Sequence, residues 1–184
     1  MFHYIEFGDD FMSNTTYTED FIESLYTKIG ILLPHQLDVN EIACRLGILL
    51  YFWDNPSQVL FLGGRAYIFL NQDLSPKQLW QDFCHELCHV LLHCGSQEKM
   101  PYSWIEYQEW KANNFMVQAC VPTFMLNNIT LPGNEDKAIQ LIQDLFNVEW
   151  DLAYKRLEQY KNNKFIHELN ANTLKMYGNN NHTI

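Results

Sequence analysis

The first half of the chain begins with two segments in which apolar residues recur at helical spacing. After a lead-in over residues 1–16, the first segment predicts a helix that ends before Pro34. Asp38, with Glu41 three residues later, is typical of a helix N-terminus, and Gly47 is placed to end that short helix. Both helices are amphipathic, so we expect each to pack one face against a common core.

The pattern then changes to short apolar runs that are typical of β-strands. Residues 48–53 are apolar and rich in strand-forming types, and a turn follows them. Residues 59–62 and 65–70 flank Gly63-Gly64, a dipeptide that favours a tight hairpin turn. These runs predict a small, mostly antiparallel β-sheet of about three strands.

Two longer helices are predicted after the sheet. Ser75-Pro76 is typical of a helix start, and this helix should continue to about His93 before Gly95. A second long helix is expected over residues 103–120. The first of them carries one apolar stripe that should be buried: Leu79, Trp80, Phe83, Leu87, Val90 and Leu91.

The last part of the chain predicts more helix and then a tail. Residues 134–164 favour two helices joined by a short turn, and the Asn-rich residues 165–184 are expected to form a partly flexible tail. The preceding residues 17–133 contain the sheet and the long helices. The chain is therefore expected to be one α+β domain with a helical C-terminal part.

The acidic composition affects which partners are expected. The net charge is −10 and the isoelectric point is near 5.0, so the surface repels nucleic acids and anionic membranes. No secretory signal pattern is visible and no apolar run can span a bilayer, which favours a cytoplasmic protein. The oligomeric state stays open. The cysteines lack a C-x-x-C spacing and are interpreted as free, mostly buried thiols: Cys44, Cys84, Cys88, Cys94 and Cys120.

The first of the long helices contains the motif His85-Glu86-Leu87-Cys88-His89. Residues four apart share one face of a helix, so the two histidines can bind one metal ion. Glu86 lies beside them, where a carboxylate can accept a proton from a metal-bound water. The motif is typical of a zinc-dependent peptidase, and it predicts one Zn²⁺ ion as the cofactor.

A catalytic zinc site usually has three protein ligands, so a third must come from another element. Glu106 and Glu109 lie three residues apart on the next helix. We favour Glu109, with Glu106 in reserve, because the small Ala112 would let this helix approach the motif helix closely. Cys84 and Cys88 are also near the histidines, but a complete ligand set without thiols is available.

These residues predict a mechanism for peptide hydrolysis. A zinc ion held by His85, His89 and Glu109 would lower the pKa of its bound water toward about 7 and polarise the peptide carbonyl. Glu86 would accept the proton of the attacking water and pass it to the leaving amine. The peptide can lie along an edge of the small sheet by strand addition, which makes few demands on its sequence.

Other residues near the motif have roles that the sequence leaves open. Tyr102, Tyr107 and His93 are all candidate donors to the oxyanion. His93 is also placed to interact with the end of the motif helix. Asp82 either orients a ligand histidine or is a solvated surface residue.

Two motifs occur together in the chain: His85-Glu86-Leu87-Cys88-His89-Val90-Leu91-Leu92-His93, and later Glu109-Trp110-Lys111-Ala112-Asn113-Asn114-Phe115 with Val121-Pro122 after it. This combination resembles the ImmA/IrrE family of metallopeptidases. That family typically shows H-E-x-x-H-x-x-x-H, then E-x-x-A-N-x-F-A, then a hydrophobic pair and Pro. The resemblance covers residues 20–160.

The resemblance implies a fold, a site and a substrate class. It implies a gluzincin-like fold with His85, His89 and Glu109 as zinc ligands and Glu86 as the catalytic group. It also implies an anti-repressor of a phage or mobile element, which cleaves a helix-turn-helix transcriptional repressor as its protein substrate.

The chain departs from the family pattern at two places. Met116 stands where the family usually has Ala, and Cys120-Val121 replaces the usual Leu-Met before Pro. Both changes exchange one apolar residue for another, so they concern packing. From its length we expect the chain to lack the additional C-terminal sensor domain of the IrrE branch, and it resembles the compact ImmA branch more closely.

Two other functions are considered beside the peptidase. The first is a zinc-containing regulator that binds its repressor without cleaving it, although such a protein would not need Glu86. The second is a DNA-binding regulator that uses residues 134–164, whose two helices suggest a helix-turn-helix. This segment contains five basic and six acidic residues, a net charge of −1 that disfavours contact with phosphates.

Overall fold

A computed structural model describes residues 15–92 and 101–179, with side chains described through residue 170 except at 167 and 168. Nearly all of the predicted lead-in lies outside the described residues, as do His93 and Gly95 at the predicted end of the motif helix. The prediction of an α+β fold is confirmed. The elements in chain order are α1 (Tyr17–Lys28), a 3₁₀ turn (Pro34–Gln36), α2 (Val39–Leu46), β1 (Leu49–Trp53), β2 (Gln58–Leu62), β3 (Arg65–Asn71), α3 (Pro76–Leu92), α4 (Tyr102–Cys120), α5 (Thr123–Leu126), α6 (Glu135–Phe146) and α7 (Trp150–Asn179).

Local hydrogen bonds define both ends of α1. The Thr16 hydroxyl accepts from the backbone N–H of Glu19, and the Glu19 carboxylate accepts from the backbone N–H of Thr16. This reciprocal cap satisfies two N–H groups that a helix start otherwise leaves without partners. The helix ends at Lys28, earlier than predicted, because Gly30 adopts a φ of 73° and turns the chain before Pro34 is reached.

The starts of α2 and α3 agree with the sequence signals. Asp38 accepts from the backbone N–H of Glu41, and Gly47 ends α2 in the left-handed region. At the start of α3, Ser75 and Gln78 exchange hydrogen bonds between side chain and backbone in both directions. The position of α3 along the chain is therefore fixed by a local cap.

The sheet has the strand order β1-β3-β2, so β1 and β2 are its two edges. β2 and β3 form the predicted antiparallel hairpin, whose turn holds Gly63 and Gly64 at φ of 56° and 76°. β1 pairs with β3 in parallel, with Leu49 opposite Tyr67, so the sheet is mixed rather than mostly antiparallel. A local pattern does not reveal this pairing, because no tight turn joins the two parallel strands.

The sheet covers α3 with one face. Of the three strands, α3 contacts chiefly β3 and then β2, and Ile68 and Leu70 of β3 are fully buried. The opposite face carries stacked aromatic rings, with the centroids of Tyr51 and Phe69 5.4 Å apart. The buried face of the sheet thus holds α3 in place along its length.

α3 and α4 make the most extensive contact between two helices in the described part of the chain. Phe83 and Leu87 of α3 and Ala112 and Phe115 of α4 are almost completely buried. The small side chain of Ala112 permits a close approach of the two helix axes, as the sequence predicts.

The C-terminal part contains the two predicted helices, α6 and α7, and Asn147 forms the turn between them with a φ of 52°. The short helix α5 before them is not predicted. α7 continues to Asn179, past the boundary at residue 164. The division into lead-in, core, two-helix segment and partly flexible tail stays a prediction. None of the helices in the described ranges is long and apolar enough to cross a membrane.

A buried ion pair joins α1 to α7. The side chain of Arg156 is 0% exposed, and its Nη2 lies 3.2 Å from Glu19 Oε1. Its Nε donates to the carbonyl oxygen of Val121 at 2.9 Å, and the Thr123 hydroxyl contacts both charged groups. Asn163 also donates to Glu19 at 3.3 Å. Each buried charge is therefore compensated by an opposite charge and by hydrogen bonds.

Candidate metal centre

The side chains of His85 and His89 on α3 converge with that of Glu109 on α4. His85 Nε2 lies 3.2 Å from His89 Nε2 and 3.2 Å from Glu109 Oε2, and His89 Nε2 lies 3.5 Å from Glu109 Oε1. Among the described residues, these three form a group that could hold a metal ion, with all three donor atoms within 4.8 Å of one another. The structure thus brings together the three ligands predicted from the sequence.

The separations in this cluster suit one tetrahedral ion. Zinc bonds to histidine nitrogen and carboxylate oxygen are about 2.0–2.2 Å long, which places neighbouring ligand atoms about 3.3–3.6 Å apart. The separations of 3.2 and 3.5 Å lie close to that spacing. The side chains of His85 and His89 are 19% and 11% exposed and that of Glu109 is 41% exposed, so the cluster opens to solvent on one side. The donor set fits zinc with one coordination position left for water.

Electrostatics favour the form of His89 that binds metals. Burial lowers the pKa of His89, and His85 acts in the same direction, while the charge of Glu109 opposes both. A neutral imidazole presents a lone pair to a metal ion, whereas the protonated ring does not. The partly buried setting therefore favours the ligand form.

Glu86 is half-buried beside the cluster. Burial, followed by the negative charges of Asp82 and Glu109, raises the pKa of Glu86 to about 7. A carboxyl group with a pKa near neutrality can both accept and return a proton. A positive charge within the cluster would favour its ionised form. These properties suit a general base.

The two cysteines of α3 belong to the core. Cys84 and Cys88 are fully buried, and burial raises the pKa of Cys84 well above its usual range and that of Cys88 to about 12. Among the described residues, neither thiol belongs to the group that His85, His89 and Glu109 form. Cys44 and Cys120 are also free thiols, and Cys94 lies outside the described residues.

Two further acidic residues, Glu106 and Asp82, do not belong to the cluster of His85, His89 and Glu109. Glu106, the reserve ligand, is exposed and stands apart from the group that Glu109 completes. The Ser57 hydroxyl donates a hydrogen bond to the Asp82 carboxylate at 2.7 Å, and the Ser57 hydroxyl oxygen accepts one from the backbone N–H of Asn71 at 3.1 Å. Asp82 therefore ties α3 to the sheet. The sequence indicated only a turn at Ser57 and gave no signal of this contact.

Two of the three candidate oxyanion donors, Tyr102 and Tyr107, lie among the described residues. Tyr107 lies in a row of aromatic rings between Trp104 and Trp110, with ring centroids 5.7 and 6.4 Å away. Tyr102 is 75% exposed near the start of α4, and His93 lies outside the described residues. The geometry therefore assigns the oxyanion role to none of these side chains.

The chain is similar to known proteins over the region that contains this cluster. Residues 46–158 match the family model Peptidase_M78, described as an IrrE N-terminal-like domain. The phage-like element PBSX protein XkdA of Bacillus subtilis (strain 168) is 40% identical over 149 residues, which cover 81% of this chain and 75% of the relative. The uncharacterized protein YqaB of the same strain is 40% identical over 145 residues, which cover 79% of this chain and 84% of that protein. The matched range includes β1 to α4 and thus every residue of the cluster.

Proposed function

The chain belongs to the Peptidase_M78 family of IrrE N-terminal-like domains, and from that premise we propose that it is a zinc-dependent metallo-endopeptidase of the ImmA/IrrE type. The observation that carries the proposal is the convergence of His85, His89 and Glu109 at separations suited to zinc, with Glu86 beside them. Two packed helices supply these groups, so the cluster is held in place before any ion binds.

In this proposal, His85, His89 and Glu109 hold one zinc ion. When bound, zinc supplies Lewis-acid chemistry that lowers the pKa of water and polarises a peptide carbonyl. Glu86 carries the proton: it accepts one from the attacking water and returns it to the amine of the leaving peptide. Burial raises the pKa of Glu86 and a bound cation would lower it again, so the ionised carboxylate needed to accept the proton is favoured when zinc is bound.

The substrate backbone is proposed to bind at the free edge of β2. Among the described residues β2 pairs only with β3, so its other edge offers backbone N–H and C=O groups to an extended peptide. α3 packs against β2 and β3, and the hydrogen bond between Ser57 and Asp82 fixes the start of β2 to α3. This edge is therefore preferred over that of β1.

The proposed substrate is a helix-turn-helix transcriptional repressor of a phage or mobile element, which places the reaction in the cytoplasm. The name of one relative assigns that protein to a phage-like element, which supports this setting. A single cut in a repressor would relieve repression, so the chain would act as an anti-repressor.

The direct test combines the zinc-loaded chain with a helix-turn-helix repressor encoded beside it. We expect two repressor fragments, detected by gel electrophoresis and mass spectrometry. Glu86→Gln should retain zinc and lose at least about a hundredfold in cleavage rate, because the general base is removed.

One pair of results would contradict the peptidase proposal. In the first, the zinc-loaded chain leaves every repressor encoded beside it intact. In the second, the Glu86→Gln variant still relieves repression in a reporter assay. That outcome would instead support a regulator that binds its repressor without cleaving it.

A further inference from the structure

α4 carries a row of exposed aromatic side chains that the proposed chemistry does not use. Trp104, Tyr107 and Trp110 follow one another at intervals of three residues, and they are 51%, 48% and 64% exposed. Neighbouring ring centroids are 5.7 and 6.4 Å apart, so the rings form one continuous surface. We call these three residues the aromatic row. Exposed side chains of this size, arranged in contact with one another, mark an interaction site.

The aromatic row faces away from the metal-binding side of α4. Residues two apart on a helix are separated by about 160° around its axis, so Tyr107 points away from Glu109. A helix with its side chains is about 10–12 Å across, so the path around half of it is about 16–19 Å, which about five extended residues can span. A bound polypeptide can therefore contact both the row and the cluster.

One residue of the aromatic row, Tyr107, contacts a cationic side chain of the same helix. Lys111 Nζ lies 5.4 Å from the centroid of the Tyr107 ring, within the range of a cation–π contact. This contact involves Tyr107, while Trp104 and Trp110 keep more than half of their surface exposed. Indole is the aromatic side chain that attracts cations most strongly.

The net negative charge of the molecule also favours a cationic ligand. The chain has 22 acidic and 12 basic residues, and Glu106 is exposed on α4 next to Tyr107. An acidic surface attracts cationic segments and repels the phosphates of nucleic acids, which could otherwise stack on the same rings.

We propose that the aromatic row is a docking surface for an arginine- and lysine-bearing segment of the protein substrate. The identity of that partner rests on the proposed function: a protein that binds DNA phosphates presents such basic segments. Docking on the row would hold the substrate while another part of its chain reaches the cluster. Contacts away from the reacting bond thus contribute to the selection of the substrate.

The test measures peptide binding in the full chain carrying Glu86→Gln, so that cleavage does not interfere. The probes are a fluorescent nine-residue peptide with five arginines and the same peptide with glutamine at those five positions. We expect saturable binding of the arginine peptide, measured by fluorescence anisotropy, and weaker binding at higher salt. Trp104→Leu and Trp110→Leu should each weaken it roughly two- to tenfold, the range of a cation–π contact.

Matched variants separate this proposal from others. Trp110→Phe keeps an aromatic face and should retain most of the affinity, whereas leucine is apolar but has no π-system. Trp150→Leu changes a tryptophan on α7 that is 42% exposed and should have no effect. All of these positions are exposed, so folding is expected to persist and is checked by thermal unfolding.

Three results would each overturn the proposal. The first is that the glutamine peptide binds as tightly as the arginine peptide. The second is that the Trp110→Leu variant binds the arginine peptide as tightly as its parent does. The third is that a single-stranded oligonucleotide binds more tightly than the arginine peptide. Because this assay needs no zinc and no cleavage, its failure is distinguishable from failure of the peptidase proposal.

Discussion

In the proposed zinc site, Glu109 would contribute more than a third ligand atom. It is the negatively charged member, and its carboxylate oxygens lie 3.2 and 3.5 Å from the two histidine nitrogens. Neutral imidazoles bind a dication without reducing its charge, whereas a carboxylate partly neutralises it. Removing this charge should therefore weaken metal binding strongly.

Glutamine substitutions at two positions of α4 test that role. We expect Glu109→Gln to lower zinc affinity by more than the roughly 10–100-fold change that follows loss of an outer contact. Glu106→Gln removes an exposed charge three residues away and should leave the affinity nearly unchanged. The measurement is zinc competition with a chromophoric chelator. Equal affinities for the two variants would contradict the assignment of Glu109.

The sequence alone selects the two histidines, whereas the choice of Glu109 over Glu106 depends on the packing of two helices. His85 and His89 belong to one helix, and the helical repeat alone places them on one face. The choice between Glu106 and Glu109 depends on how α4 is rotated against α3. That rotation is fixed by burial of Ala112 and Phe115, a tertiary effect that spacing alone does not determine.

At the scale of elements, the ion pair between Glu19 and Arg156 connects helices at opposite ends of the described chain. Burial alone would raise the pKa of Glu19, but hydrogen bonds from Thr123 and Thr16 and the charge of Arg156 lower it overall. The folded state thus favours ionised Glu19. Its contribution to stability is complete above the ordinary glutamate pKa of 4.5 and is lost as the pH falls through the lower folded pKa.

Glu19→Gln tests this linkage, because glutamine resembles the protonated acid. Near pH 7 the variant should be less stable by about 3 kcal/mol, since the buried Arg156 loses its counter-charge. The difference should shrink as the pH falls below 4.5, where wild-type Glu19 also becomes neutral. Urea unfolding at several pH values measures it. A difference that does not change with pH would contradict the linkage.

Local signals predicted the elements better than their connections. The helix caps at Thr16, Asp38 and Ser75 depend on residues only a few positions apart. The sequence therefore predicted the starts of these three helices to within two residues. The parallel pairing of β1 with β3 and the burial of Arg156 depend on distant residues. Arg156 follows Lys155 in the sequence, and its burial depends on contacts with Glu19, Val121 and Thr123 that the local pattern does not reveal.

At the scale of the whole molecule, the buried Arg156 changes the charge that residues 134–164 present. Without Arg156 the basic residues number four against six acidic ones, so the net charge becomes −2. Lys161 is also paired with Glu135 and Glu158. The two C-terminal helices therefore offer little positive charge to a phosphate backbone.

We expect no binding to duplex DNA at physiological salt. The measurement is a gel shift with the promoter region of the neighbouring genes, with a basic helix-turn-helix protein as the positive control. A shift by the chain that disappears in the double variant Lys155→Gln and Lys164→Gln would contradict this expectation and support a DNA-binding role for the C-terminal helices.

The ion pair between α1 and α7 also limits where the chain can be cut. An excised fragment confined to the family match, residues 46–158, would keep Arg156 but lose Glu19. It would also lose Tyr26, whose buried hydroxyl donates to the carbonyl oxygen of Ala119 at 3.1 Å. A guanidinium left in the interior without its partner costs about 3–5 kcal/mol, a large fraction of the stability of a small domain. The smallest autonomous unit is therefore larger than the region of family similarity, because it must include the helix that supplies the counter-ion.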